Sequence, residues 1–297
     1  MSNSTPLPYL AISINGQLFQ GEEIDNAGLS PTDRGALLGD GLFETLPILQ
    51  GRALWWDRHC RRLADAANSI GLPLDIDHID EMVKQMQGVA GGANCALRLT
   101  VTRGVGGRGL SLPEAPAPTI ICSLSPLAVN FSFQDVRLAT STIRRNELSP
   151  TSSLKSLGYL DNILATREAQ SKEADDALLL NTRGNVACTT ICNLFMLMGD
   201  RLITPPVRDG ILPGILREVL LEEAPALGLS VEEASIEPEQ LKKADGLFLT
   251  NSLRIMRRVT HLDGNAVGDT STPDDTITRL QYHLRDLIIT QTGIALG

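Results

Sequence analysis

Apolar and polar positions alternate through much of the first half of the chain. In AISINGQLF two short alternating runs flank Asn15 and Gly16, residues that tolerate positive φ, so the pattern predicts a two-residue hairpin. The stretch ALLGDGLFETLPILQGRALWW reads as strands around a GDG, with a second turn at Gln50 and Gly51. In DRHCRRLADAANSIG the period changes: Cys60, Leu63 and Ala67 recur at helical spacing and Gly71 supplies the stop. ALRLTVTRG then sets Leu97, Leu99 and Val101 against Arg98, Thr100 and Thr102, a half-buried strand with one polar face. A glycine-rich loop, GVGGRGLSLPEAPAP, separates it from a further strand, TIICSLSPL.

Another set of strands starts at FSFQDVRLAT, which places a domain boundary near residue 127. The expectation is a small N-terminal α/β domain over 1–126 and a larger C-terminal domain over 127–297 that carries Lys155. After Lys155, the positions Leu160, Ile163, Leu164 and Arg167 continue a helical pattern. ALLL and NVACTTICNLFMLM read as two strands joined at NTRG, and RDGILPGILREVLLEEA as a turn that opens a helix. LFLTNSLR, an HLDGNAV hairpin and a helix from about Pro273 complete the chain. Mixed sheets with helices packed on them predict an α/β or α+β class, and no repeat is visible.

Composition narrows the partners. The 297 residues are 42% apolar and 21% charged, enough for ample core. A net charge of −9 opposes binding to nucleic acid, and the basic clusters RHCRR and RIMRR are too short for a nucleic-acid arm, although either suits a small anion. Five cysteines without a CxxC pair argue against a disulfide framework and point to a reducing cytoplasm. Four scattered histidines lack metal-ligand spacing. MSNSTPLPYLAI lacks a charged region followed by an apolar core, and no apolar run reaches the ~18 residues of a membrane span, so a soluble protein is predicted.

The chemistry centres on Lys155 in SSLKSLGYLDNILATREA. A lysine amine condenses with an aldehyde once it is desolvated and pre-positioned, which makes Lys155 a candidate Schiff-base residue. DGILPGILRE places glycine and proline at a helix start, where unpartnered N–H groups and the helix dipole suit a phosphate. Thr250, Asn251 and Ser252 add hydroxyl and amide donors, and Arg62 offers a charge-assisted contact while Arg58 or Arg61 faces solvent. Each segment also has a plain reading as a turn, a helix junction or a solvated arginine. Together they describe pyridoxal 5′-phosphate gripped at its phosphate and tethered at its aldehyde.

The ordered set DRGALLGDGLFET, HCRRL, RLTVTRGVGGRGL, KSLGYLDNILA, GNVACTTICNLF, GILPGILRE and LTNSLR resembles the class IV aminotransferases, the fold type IV pyridoxal-phosphate enzymes, from about residue 9 to beyond residue 260. The family includes branched-chain and D-amino-acid aminotransferases and 4-amino-4-deoxychorismate lyases. The resemblance implies a two-domain fold and a homodimer with its active site at the domain and subunit boundary. It implies that Lys155 forms the internal aldimine and shuttles the proton, and that Arg62 holds the phosphate with the helix start at Ile215 and Leu216 and with Thr250, Asn251 and Ser252. Tyr159 is implied to approach the cofactor's phenolic oxygen.

Three departures accompany the resemblance. Leu216 stands where a threonine is frequent, so a hydroxyl contact is lost while the backbone N–H remains. Cys188 stands where the family normally carries the glutamate that pairs with the pyridine nitrogen, and a thiol is a weaker, normally neutral partner. Arg108 matches an arginine of the substrate-carboxylate clamp of D-amino-acid aminotransferases, whereas Ala36 and Leu110 replace that clamp's usual tyrosine and histidine. Three functions follow: transfer between a small amino acid or amine and a 2-oxo acid, elimination of pyruvate from aminodeoxychorismate to leave 4-aminobenzoate, or binding of cofactor or ligand without turnover.

Overall fold

The computed structural model describes residues 9–128, 130–268 and 276–293. The described residues form two compact units, 9–128 with 155–158 and 291–293, and 130–154 with 159–268 and 276–290. Residues 155–158, Lys155 among them, belong to the first unit although they follow the boundary expected near residue 127.

The first unit is a six-stranded sheet backed by two helices. Its elements are β1 (Ala11–Ile14), β2 (Gln17–Gln20), α1 (Arg34–Leu38), β3 (Gly41–Leu49), β4 (Arg52–Ala53), α2 (Trp56–Ser69), α3 (Ile76–Ala90), β5 (Cys95–Thr102) and β6 (Thr119–Pro126). The sheet runs β2-β1-β6-β5-β3-β4 and every pair is antiparallel. The predicted hairpin forms, with Asn15 and Gly16 at φ 48° and 87° between β1 and β2. In β5 the side chains of Cys95, Leu97, Leu99 and Val101 are buried while Arg98 is exposed, as alternation requires.

Helix α2 forms over the predicted span. Helix α3 adds to the elements that alternation predicts, and its sequence is regular. Asp75 caps it through His78 N–H (3.0 Å), and Ile79, Met82, Val83, Met86 and Ala90 are buried along one stripe. Helix α1 replaces strand in the ALL of ALLGDG: Asp33 accepts from Gly35 N–H (2.7 Å) and Gly39, in the left-handed region, ends the helix.

The second unit is a nine-stranded mixed sheet with helices. Its elements are β7 (Val136–Arg145), α4 (Leu160–Ser171), β8 (Asp176–Asn181), β9 (Val186–Thr189), β10 (Asn193–Met198), β11 (Arg201–Thr204), α5 (Ile215–Glu223), β12 (Ser230–Glu233), α6 (Pro238–Leu241), β13 (Gly246–Asn251), β14 (Ile255–Leu262), β15 (Asn265–Ala266) and α7 (Thr276–Thr292). The order is β12-β11-β10-β13-β14-β7-β8-β9, with β15 on β14, and β9 also pairs with β10 through Cys188 and Asn193. Its core gathers Leu138, Leu178, Val186, Leu194, Met196, Leu247, Leu249 and Val259, drawn from six strands.

Two details differ from the pattern reading. NVACTTICNLFMLM holds two strands, because the chain reverses at Thr190 to Cys192, with Thr189 N–H on Cys192 O (2.9 Å). In α4 the stripe Leu160, Ile163 and Leu164 is exposed, while Asn162, Ala165 and Ala169 face the core. The HLDGNAV hairpin is present, with Asp263 and Gly264 at positive φ. The helix start expected at Pro273 lies outside the described residues. No helix among the described residues is long and apolar enough to cross a membrane.

Candidate cofactor site

In the first unit, Lys155 is pinned to the edge of β3. Phe43 N–H donates to Lys155 O (2.9 Å), Leu157 N–H donates to Gly41 O (3.2 Å), and Leu42 and Ser156 form an antiparallel bridge between them. Glycine is needed at 41: a Cβ there would fall 2.6 Å from Val101 O and 2.9 Å from Leu157 Cδ1. Lys155 Nζ lies 4.2 Å from the centroid of the Phe43 ring, and the same ring meets Arg98 Cζ at 3.8 Å. A half-buried lysine amine is thus held on a strand edge by its backbone rather than carried on a free loop.

One residue further along β3, Glu44 is buried among charges. Its carboxylate accepts Arg62 Nε (2.8 Å), Arg62 Nη2 (2.5 Å) and His59 Nδ1 (2.7 Å). Burial alone would raise its pKa; the Arg62 guanidinium and the His59 bonds outweigh that and hold it at about 2. His59 is pushed down by its burial, with the Arg62 and Lys155 charges acting in the same sense against Glu44. His59 is therefore the neutral donor of the trio and Glu44 the anion, which fixes the fork of Arg62 on α2. Glu44 is absent from the sequence-based site, because FET reads there only as strand interior; the signal is a carboxylate in an otherwise apolar buried strand.

The glycine-rich loop is anchored by a second cluster. Arg34 and Arg103, each 3% exposed, share Asp40 through their Nε atoms (2.8 and 2.9 Å). Arg108 and Leu110 on this loop, and Ala36 on α1, are exposed.

In the second unit, Ile215 and Leu216 are the first residues of α5, and no side chain caps that end. Gly214 precedes them, and a Cβ there would meet Asn193 Oδ1 at 2.1 Å; Asn193 Nδ2 in turn donates to Leu212 O (2.9 Å). Asn193 is the register partner of Thr250 on β13. The Thr250 hydroxyl is buried and has no hydrogen-bond partner, an arrangement that costs free energy unless a ligand supplies one. An uncapped helix start and an orphaned hydroxyl fit a phosphate group. Asn251 is used differently from the expectation. Its Oδ1 accepts Leu253 N–H (3.1 Å) and Arg254 N–H (2.6 Å), and its Nδ2 donates to Cys192 Sγ (3.2 Å), so it shapes the turn that carries Ser252.

Cys188 is buried on β9, and burial pushes its thiol up to about 11, with Asp176 adding to the rise and Arg145 opposing it. It is a neutral thiol at physiological pH. Tyr159 is half-buried at the residue before α4. All five cysteines are free.

The family profile described as Amino-transferase class IV matches residues 41–262. A Methanocaldococcus jannaschii protein named "Putative branched-chain-amino-acid aminotransferase" is 33% identical over 88% of this chain and 90% of its own length. The aminodeoxychorismate lyase of Bacillus subtilis is 31% identical over 82% of this chain and 83% of its own. Among solved structures, a hypothetical aminotransferase from Mycobacterium tuberculosis in a PLP-bound form superposes with a TM-score of 0.80 at 25% identity, covering 94% of this chain and 98% of that one. The chain belongs to the class IV aminotransferase family of fold type IV enzymes.

Proposed function

We propose that this chain is a pyridoxal-phosphate-dependent aminotransferase that moves an amino group between a small amino acid or amine and a 2-oxo acid. The observation that carries the reading is Lys155, whose amine is held on β3 beside Phe43 in a chain of this family. When bound, the cofactor supplies an aldehyde for the substrate amine and a ring that withdraws electrons from its Cα. Lys155 Nζ would tether the cofactor at its aldehyde carbon, with loss of water, and would carry the proton to and from the substrate Cα. Arg62, oriented by Glu44, is the first unit's candidate for holding the phosphate, and the N–H groups of Ile215 and Leu216 with the Thr250 hydroxyl are the second unit's. Asn251 holds the turn that presents Ser252, and Tyr159 would hold the phenolic oxygen. Cys188, as a neutral thiol, would offer the pyridine nitrogen a weak hydrogen bond. Arg108 takes the substrate carboxylate, beside loop and helix positions Leu110 and Ala36 that give the clamp no polar group.

A second reading, aminodeoxychorismate lyase, is favoured by the Bacillus subtilis relative and by Cys188, because a weaker electron sink suits elimination over repeated transfer. A third, a paralogue that binds cofactor without turnover, rests on Cys188 and Leu216. The purified protein with added pyridoxal phosphate should show a visible absorption band that Lys155→Ala abolishes, together with all turnover. Incubation with L-leucine, D-alanine and aminodeoxychorismate, each with and without 2-oxoglutarate, then separates the readings. Repeated pyruvate release from aminodeoxychorismate without an acceptor would favour the lyase, and a colourless protein that takes up no cofactor would sink both enzymatic readings.

The proposal includes a homodimer in the cytoplasm. Leu160, Ile163 and Leu164 form an exposed apolar stripe on α4, 43–67% accessible, and a second copy is the occupant that the family resemblance suggests. Free thiols suit a reducing compartment. Ile163→Asp should shift the species seen in sedimentation to a monomer; an unchanged mass would remove α4 from the interface.

A further inference from the structure

The glycine-rich loop is gripped by one buried side chain. Arg34 Nη1 donates to the carbonyl oxygens of Gly109 and Ser111 (both 3.2 Å), and Nη2 reaches Leu110 O at 3.5 Å. Nε is committed to Asp40, whose carboxyl is held below the usual range because the two guanidiniums outweigh its partial burial. Asp40 is fixed from the other side by Arg103, which donates to Gly71 O (2.7 Å) and Ile70 O (3.0 Å) just beyond α2. Glycine at 106 leaves room for the Arg34 stem, since a Cβ would lie 2.6 Å from Arg34 Cδ.

Backbone pairing holds the start of the loop, where Asp33 and Val105 form an antiparallel bridge, Arg34 N–H donates to Gly104 O (2.9 Å) and Gly106 N–H to Thr32 O (3.4 Å). Beyond it Leu110 and Leu112 are 82% and 58% exposed, and glycines at 107 and 109 would let an unheld segment sample many conformers. A planar fork that meets three successive carbonyls selects one path for the chain, which a lysine ammonium, a single compact charge, does not reproduce. The loop also carries Arg108.

We propose that Arg34 is a positioning residue for substrate specificity: it fixes the 107–112 part of the loop and so sets where Arg108 meets the substrate carboxylate. The inference rests on the amino-acid chemistry given under Proposed function. Arg34 is assigned no contact with cofactor or substrate, and its effect passes through the loop backbone.

The test uses the full-length enzyme loaded with pyridoxal phosphate. Arg34→Lys keeps a charge for Asp40 and should preserve the fold, while Arg34→Gln gives the larger perturbation. With whichever of L-leucine, D-alanine and aminodeoxychorismate the wild type turns over, Arg34→Lys should raise KM roughly tenfold with kcat within about twofold, the signature of lost ground-state binding. The amine left when that donor's carboxylate is removed should lose nothing. Arg108→Ala should show the same selectivity, and the double variant should be no worse than either single one, because both remove one contact. Equal losses for acid and amine, or additive losses in the double variant, would overturn the proposal. Backbone 15N relaxation on the unmutated protein is an independent arm: order parameters for Gly109 to Ser111 close to those of β5 are expected, and values below about 0.6 would overturn the latch without any variant. A wild type that turns over none of the three donors would remove the reading on which the inference rests, and the relaxation data would still decide the latch.

Discussion

The surroundings of β3 and the start of α5 are both anchoring regions, built on opposite principles. Around Glu44 every charge is matched: one buried carboxylate takes two bonds from Arg62 and one from His59, and the strand beside it carries the backbone of Lys155. At α5 the donors are left open: no side chain caps the helix, and the Thr250 hydroxyl is buried without a partner. A matched cluster is rigid before any ligand arrives. An unmatched one carries a cost in the free protein that an anion relieves, so its stabilisation appears only on binding.

Removing the buried anion should therefore have the largest effect. Glu44→Gln leaves Arg62 without its carboxylate and should lower stability by roughly 3–5 kcal/mol, measured by urea unfolding of the cofactor-free protein. A loss below about 1 kcal/mol would mean that water replaces the pair and that β3 is not the matched region described here.

Acidification addresses the same cluster without mutation. The folded-state pKa values of Glu44 and His59 both lie below their ordinary values, so the unfolded chain binds more protons and stability falls as pH falls. The His59 contribution is complete above about pH 6.5 and is lost below it. The Glu44 contribution, roughly 3 kcal/mol from a shift of 4.5 to about 2, is lost between those two values. Urea midpoints at pH 7, 5.5 and 3 should decline in sequence, and Glu44→Gln should flatten the last step. A midpoint that stays level from 7 to 3 would contradict both assignments.

Legibility in the sequence follows the same division. Lys155 and Arg62 stand out as charges in recognisable surroundings, and the Asn15-Gly16 turn and the β5 alternation are local patterns that the fold keeps. Glu44 does not stand out, because its meaning depends on a helix 18 residues away in sequence bringing Arg62 to it. Helix α3 was available from its Asp75 cap and its apolar spacing, whereas the reversal at Thr190 to Cys192 lacks the glycine or proline that marks most turns. Periodicity finds the Leu160, Ile163 and Leu164 stripe but not which way it points, and only packing shows that the small residues Ala165 and Ala169 take the core side. Asn251 carries suitable donors, yet its amide is spent on structure: Oδ1 accepts from its own turn, and Nδ2 donates to Ile191 O and Cys192 Sγ.

The open region should respond less to substitution. Gly214→Ala has backbone angles any residue tolerates, φ −74° and ψ 146°, so its cost comes from the new Cβ against Asn193 Oδ1. Asn193 must turn away and give up its bond to Leu212 O, a loss of roughly 1–3 kcal/mol in urea unfolding. Cofactor affinity should fall with it, since Asn193 links the helix start to Thr250. Full stability with full affinity would show that the close approach at Gly214 is not structural.

Thr250→Val gives the smallest change and the sharpest contrast, because its two effects have opposite signs. The substitution removes a buried hydroxyl that has no partner and keeps the branched shape, so the cofactor-free protein should be unchanged or gain up to about 1 kcal/mol. The same hydroxyl is free to donate to a phosphate oxygen, so pyridoxal-phosphate affinity, read from absorbance titration, should drop roughly tenfold, about 1.4 kcal/mol. Pyridoxal, which lacks the phosphate, should bind wild type and variant alike. A residue serving the fold alone would lose stability and leave the two ligands equally affected; a residue kept unsatisfied for an anion loses only the phosphate-bearing one. At Glu44 the same logic runs in reverse, because there the partner is already present in the free chain and its removal is felt before any ligand binds.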